Sequence, residues 1–221
     1  MGNYCACAPF LDRDDAGRQL AEKLASHAGR PDVIVLGLPR GGVPVAARVA
    51  EKLDVPLDVF VVRKLGVPWH SELAMGAIAS GGVRVLNDEV LSSIRISREE
   101  IEAVAARESS ELERREQIYR GARPVPDLRG KTAIIVDDGV ATGATMSAAI
   151  AALRQAGATR IVAAAPVVAS DTCARLRREA DELVCVIAPE NFYGVGQWYA
   201  DFAQTTDEEV REALSFRGLP Y

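Results

Sequence analysis

Ala133-Ile134-Ile135-Val136-Asp137-Asp138-Gly139-Val140-Ala141-Thr142-Gly143-Ala144-Thr145-Met146 runs from an apolar segment straight into two carboxylates and then into a loop of glycine, alanine and threonine. A continuous apolar run such as Ala133 to Val136 suits a strand buried on both faces of a parallel sheet. The small and apolar residues from Met146 to Leu153 suit a packed helix. The acids and the loop therefore fall at a strand's carboxyl end. In doubly wound folds that end opens into the ligand crevice, and N–H groups at the start of the next helix bind anions.

Outward from this segment, the sequence alternates strand and helix patterns. Strands are expected near 33–37, 57–62, 132–137, 160–165 and 183–187, and helices near 42–53, 144–156, 171–180 and 207–215. A first helix covers about 12–27, and Gly157 ends the helix that follows the acidic pair. Such alternation predicts an α/β fold with a doubly wound, mostly parallel sheet of about five strands and flanking helices. The whole chain, 1–221, reads as one domain with a helical insertion at about 83–130 and a C-terminal hood segment at about 188–221. Within the insertion Val83 to Leu86 forms a short strand pattern. A long charged helix follows, opened by the Ser97/Glu100 capping box and carrying a partial stripe of Ile101, Val104, Ala105, Leu112 and Ile118.

The chemistry of the loop follows from its residue types. Gly139 and Gly143, with the small Ala141 and Ala144, let backbone amides approach a phosphate, and Thr142 and Thr145 add hydroxyl donors. Carboxylates repel phosphate, so Asp137 and Asp138 hold something else. Vicinal ribose hydroxyls, met directly or through Mg2+, fit an acidic pair beside a phosphate site.

Residues 136–146 resemble the phosphoribosyl pyrophosphate signature of the type I phosphoribosyltransferases, with the adenine-type version closest. Ala141 stands where hypoxanthine-guanine relatives usually carry an Asp, which weakens that assignment. Gly139 and Ala144 depart from the commonest adenine-type residues, so the sugar donor is better identified than the base. The resemblance, covering about 30–190, implies the type I phosphoribosyltransferase fold with a hood. It also implies Mg2+ as cofactor, phosphoribosyl pyrophosphate and a nitrogenous base as substrates, and a homodimer. Residues 139–145, Val140 among them, would hold the 5'-phosphate; Asp137 and Asp138 would hold the sugar and touch the metal through water or ribose hydroxyls.

Two further loops match family expectations. Val33 to Gly37 leads into Leu38-Pro39-Arg40-Gly41-Gly42, similar to the pyrophosphate loop, with exposed amides and the Arg40 guanidinium as phosphate partners. It fits neither G-x-G-x-x-G nor G-x-x-x-x-G-K-[ST], which disfavours nicotinamide and Walker-type nucleotide sites. Val61-Val62-Arg63-Lys64-Leu65-Gly66-Val67-Pro68 resembles the mobile catalytic loop, in which Arg63 and Lys64 would neutralise charge on departing pyrophosphate. Trp69 and His70 receive no catalytic role. For the base, the aromatics Phe192, Tyr193 and Trp198, in the run 191–202, are the candidates, against the alternative of a packed aromatic cluster.

A net charge of −5 argues against nonspecific nucleic-acid binding. The arginines of the long helix, including Arg114, Arg115 and Arg120, interleave with glutamates at pairing distance, which favours a solvated or subunit-contacting helix over RNA recognition. The N-terminal residues lack a basic region and an apolar core of the secretory kind, and a cytoplasmic location is expected. Cys5, Cys7, Cys173 and Cys185 lack the paired spacing of a zinc site; Cys173 falls in a helix and Cys185 in an apolar strand. Two other functional classes remain open. One is a protein that binds phosphoribosyl pyrophosphate or a nucleotide as a signal without turnover. The other, a phosphoacceptor receiver, fits poorly because its acids would follow the first strand.

Overall fold

A computed structural model describes residues 10–217, so Cys5 and Cys7 lie outside the described residues. Along the chain the elements are α1 (Arg13–Lys23), β1 (Val33–Gly37), α2 (Gly42–Leu53), β2 (Leu57–Val59), β3 (Val62–Val67), β4 (His70–Ala79) and β5 (Val83–Leu86). They continue with α3 (Asp88–Ser93), α4 (Arg98–Arg120), β6 (Thr132–Val136), α5 (Ala144–Gln155), β7 (Arg160–Val167), α6 (Ser170–Glu179), β8 (Glu182–Ile187) and α7 (Asp207–Arg217).

Five strands form a parallel sheet in the order β2-β1-β6-β7-β8. Successive residues point to opposite faces, and both faces are covered. Val33, Val35, Ile134, Val136, Val162 and Ala164 pack towards α1, α2 and α7, whereas Ile34, Leu36, Ala133, Ile135, Ile161 and Ala163 pack towards α5 and α6. This is why the central strands carry no polar alternation. Chain order reverses between β1 and β6, and their register pairs Gly37 with Val136. The loops after both strands therefore emerge level and side by side at the switch point, where ligands bind in doubly wound sheets.

Two expectations need correction. The strand expected at 57–62 stops at Val59: Phe60 N–H donates to the Gly37 carbonyl, then Val61 exchanges bonds with Ser80, and the chain turns out of the sheet. The segment Val61 to Pro68, which resembles a catalytic loop in sequence, lies within an antiparallel hairpin of β3 and β4, extended by β5 into a three-stranded sheet. Its alternation is obscured because Gly66 and Gly76 sit within it, and the register shifts around Leu65 to Val67. His70 opens β4, its Nδ1 accepting the Leu73 N–H at 3.2 Å.

The rest of the insertion follows the expected pattern, with β5 at 83–86 and α4 opened by the Ser97/Glu100 capping box. One end of α4 is held far more firmly than a solvated helix. Arg120 is 5% exposed, donating to Asp58 at 3.2 Å, to Glu116 at 2.8 Å and to the Val59 carbonyl at 2.8 Å. A buried guanidinium is tolerable only with such partners, and here they clamp α4 to β2. Burial of Asp58 pushes its carboxyl up, and Arg120 opposes the rise. Among the described residues no helix is long and apolar enough to cross a membrane.

Candidate active site

Asp137 and Asp138 follow β6 directly, and the two loops at the switch point meet around them. Gly41 lies so close to Asp138 that a Cβ on it would stand 1.9 Å from Asp138 Oδ2. One on Gly42 would stand 2.6 Å from the Val136 carbonyl oxygen and 2.8 Å from Asp137 Cα. Only residues without a side chain permit this approach, which explains the Gly-Gly pair. The structure thus brings Gly41 and Gly42 against the acidic pair, while Pro39 and Arg40, just before them in the chain, line a neighbouring cavity with α4 and Asp207. The Pro39–Arg40 peptide is cis.

The loop from Gly139 to Thr145 forms a small cavity of about 180 Å³ with Asp137, Met146 and Val195. Its backbone is held from outside. Thr172 Oγ1 donates to the Ala141 carbonyl at 2.6 Å, and Arg175 donates to the Thr142 carbonyl. A trans peptide aims its N–H opposite to its carbonyl, so the amides of Thr142 and Gly143 are directed away from α6. Gly143 takes φ +73°, and no side chain caps the N-terminus of α5. The first amides of α5 therefore remain available to an anion, reinforced by the helix dipole.

Burial raises the Asp137 carboxyl well above the ordinary carboxylate range, and the adjacent Asp138 adds to the rise. Burial raises Asp138 as well, and Arg13 opposes it. Arg13 holds Asp138 Oδ2 through Nε at 2.9 Å and Nη2 at 2.8 Å. Its third nitrogen donates to the Ala203 carbonyl at 2.6 Å, and its guanidinium lies 4.1 Å from the Phe202 ring centre. Tyr199 donates its hydroxyl to the Asp138 carbonyl; burial and the neighbouring acid keep that phenol protonated. Sequence reading alone does not single out Arg13, Phe202, Thr172, Arg175 or Tyr199 for these contacts. Arg13 lies 125 residues from its partner, and no local pattern links them.

The remaining candidates are placed elsewhere. Arg63 is paired with Glu108 of α4 at 2.6 Å, and Lys64 lies with it beside a separate cavity bounded by Arg107 and Glu108. The structure does not bring these cations to the phosphate loop. Phe192 and Trp198 have ring centres 6.5 Å apart and pack with Phe10, Tyr199 and Val167, while Tyr193 is 90% exposed. Strand-like bonds from Phe10 and Leu11 to 198–201 tie this aromatic cluster to the start of α1. Cys173 is buried in α6, and Cys185 is partly buried in β8. Among the described residues no group of three or more His, Cys, Asp or Glu side chains could hold a metal. Asp137 and Asp138 suit Mg2+ only if substrate and water oxygens supply most of its ligands, which is the usual habit of that ion.

A family model described as "Phosphoribosyl transferase domain" matches residues 11–203, wider than the 30–190 core expected from sequence and taking in Arg13, Tyr199 and Phe202. A Mycobacterium tuberculosis (strain H37Rv) protein named "Putative phosphoribosyl transferase Rv0571c" is 52% identical over 201 residues, 91% of this chain and 45% of its own length. The chain thus spans about half the length of that curated relative. The crystal structure of TT1426 from Thermus thermophilus is 42% identical, covers 95% of this chain and 99% of its own, and superposes with a TM-score of 0.86. "Bifunctional protein PyrR" of Corynebacterium glutamicum is 32% identical over 121 residues, 45% of this chain and 63% of its own length.

Proposed function

The chain belongs to the phosphoribosyl transferase domain family, and we propose that it moves the 5-phosphoribosyl group of phosphoribosyl pyrophosphate to a nitrogenous base, releasing pyrophosphate, with Mg2+ as cofactor. One observation carries this reading: an amide-lined, uncapped helix start lies directly beside two carboxylates, which the Gly41-Gly42 backbone touches from the other side. In the reaction the base nitrogen forms a bond to C1 of the ribose as the C1–oxygen bond breaks, its electron pair leaving with pyrophosphate, and the proton on that nitrogen passes to solvent. Residues 139–145 would grip the 5'-phosphate, with Thr142 and Thr145 as hydroxyl donors. Asp137 and Asp138 would orient the ribose hydroxyls, with Arg13 and Tyr199 fixing the Asp138 side chain and backbone. Held so, C1 faces the acceptor in a single geometry, which is the largest contribution positioning residues make. Mg2+, when bound, would screen the charge of the leaving group.

Arg63 and Lys64 would add positive charge at the leaving group only after Arg63 releases Glu108. Phe192 and Trp198 would border the base as a packed wall. We place the reaction in the cytoplasm, and in a homodimer as the family resemblance implies. Incubation with Mg2+, phosphoribosyl pyrophosphate and a panel of purines, pyrimidines and small aromatic amines, read by mass spectrometry, tests the proposal. A new nucleotide mass that vanishes in the Asp137→Asn/Asp138→Asn variant is the expected result. No product with any acceptor, together with unchanged donor binding in that variant, would refute it.

The Arg63–Glu108 pair also favours a second reading, a non-catalytic sensor of phosphoribosyl pyrophosphate or a nucleotide. Arg63→Ala/Lys64→Ala separates the two. An enzyme loses turnover, whereas a sensor keeps its ligand affinity and has no turnover to lose.

A further inference from the structure

Among the described residues Arg40 has only one loose protein partner for its guanidinium. Its nearest carboxylate is Asp207, 4.0 Å away, and among the described residues it donates no hydrogen bond. It lines a cavity of about 290 Å³ whose other walls include Arg114, Arg115, Ile118 and Tyr119 of α4 and Asp207 at the start of α7. Glu111 sets the two helix arginines. It accepts from Arg114 Nε at 2.8 Å and Nη2 at 3.0 Å, and from Arg115 Nε at 2.8 Å. The terminal nitrogens of Arg115 donate to nothing among the described residues. Tyr119 spends its hydroxyl on Asp207 at 2.8 Å, and burial with that neighbour pushes the phenol up to about 12.

Three guanidiniums thus meet two carboxylates and a neutral phenol, leaving the cavity net positive. It is also continuous with the candidate active site along the chain, because Arg40 directly precedes Gly41, whose backbone abuts Asp138. A sugar held at Asp137 and Asp138 would send a diphosphate substituent past Gly41 towards Arg40. Planar guanidiniums with unused donors are the side chains best suited to phosphate oxygens.

We infer that Arg114 and Arg115 of α4 form, with Arg40, a binding site for the diphosphate group, so that the helical insertion supplies a fixed wall of the leaving-group site. This assigns a role to helix arginines that sequence patterning treats as solvated charge. It deepens the phosphoribosyltransferase reading and rests on it for the identity of the ligand, but inorganic pyrophosphate alone reads the site without any turnover.

The test titrates inorganic pyrophosphate and, separately, ribose 5-phosphate into the full chain and three variants: Arg114→Ala/Arg115→Ala, Arg114→Lys/Arg115→Lys and Arg129→Ala. Arg129 is a surface cation paired with Asp127 that lines none of the cavities described above, and controls for bulk charge. The expected result is a loss of pyrophosphate affinity of about 10- to 100-fold in the alanine variant. The lysine variant should recover part of it, with ribose 5-phosphate binding unchanged and Arg129→Ala without effect. Thermal melting checks that each variant is folded. Equal pyrophosphate affinity in wild type and the alanine variant would overturn the inference, as would an equal loss in Arg129→Ala. Failure of the phosphoribosyltransferase reading gives a different pattern, in which the acidic-pair variant leaves donor binding and product formation untouched.

Discussion

Gly41→Ala probes the contact that joins the two loops. Gly41 has helical φ −63° and ψ −30°, so alanine meets no backbone penalty there and the effect is steric alone. The new methyl would stand 1.9 Å from Asp138 Oδ2 and 3.1 Å from Arg13 Nε, whereas real Cβ contacts essentially never fall below 3.0 Å. The Asp138 carboxylate must therefore retreat by at least about 1 Å, and the charged hydrogen bonds from Arg13 lengthen with it. Hydrogen bonds to charged groups contribute about 1.5–3 kcal/mol, so donor affinity should fall about 10- to 100-fold. Misplacement of about 1 Å has a comparable effect on rate. The obstruction is a side chain, so the chain should still fold, with a melting temperature lower by a few degrees. Gly42→Ala collides instead with the Val136 carbonyl and Asp137 backbone, which cannot swing aside, and should lose much of its folded yield. Calorimetric titration of Mg2+ and phosphoribosyl pyrophosphate into Gly41→Ala is the assay. Wild-type affinity in a well-folded Gly41→Ala protein would show that Asp138 does not hold the donor.

Three further substitutions test what holds these loops in place. Arg120→Ala strips Asp58 of its buried partner and should destabilise the fold by about 3–5 kcal/mol in denaturant unfolding; a change below about 1 kcal/mol would mean the clamp on α4 is unimportant. Tyr199→Phe removes the hydroxyl donated to the Asp138 carbonyl while keeping the ring between Phe10 and Phe202, and should reduce stability by about 1 kcal/mol with a measurable loss of donor affinity. Asp32 bonds to Arg30 and to the Thr132 hydroxyl at the start of β6, and these bonds lower its carboxyl from 3.8 to about 2. A depressed acid stabilises above its unfolded value and loses that contribution as pH falls through its folded one. Asp32→Ala should therefore be slightly less stable than wild type at neutral pH, with the two melting curves converging between pH 3.8 and about 2; a pH-independent gap would refute the pairing.

What the sequence shows plainly is what repeats locally. The parallel strands are legible because β1, β6 and β7 are continuous apolar runs covered on both faces, and the acidic pair is legible because it adjoins one of them. The hairpin is not, since two glycines and a register shift break the alternation that marks a strand. Arg120 is the sharper case. Its sequence context is that of a solvated helix with glutamates at pairing distance, and Glu116 does pair with it. What buries it is Asp58, 62 residues away on β2, and a partner that distant leaves no periodic trace. Arg13 and Asp138 repeat that situation across the candidate site. The same argument separates the two sets of cations proposed for the leaving group. Arg63 and Lys64 stand out by their place in the chain, yet Arg63 is spent on Glu108. Arg114 and Arg115 carry no motif, yet the fold delivers them to Arg40 because Arg120, two helical turns or less along α4, is clamped to the sheet beside β1. Charge in a site is set by which element the core anchors nearest to it, and here the anchored element is the insertion.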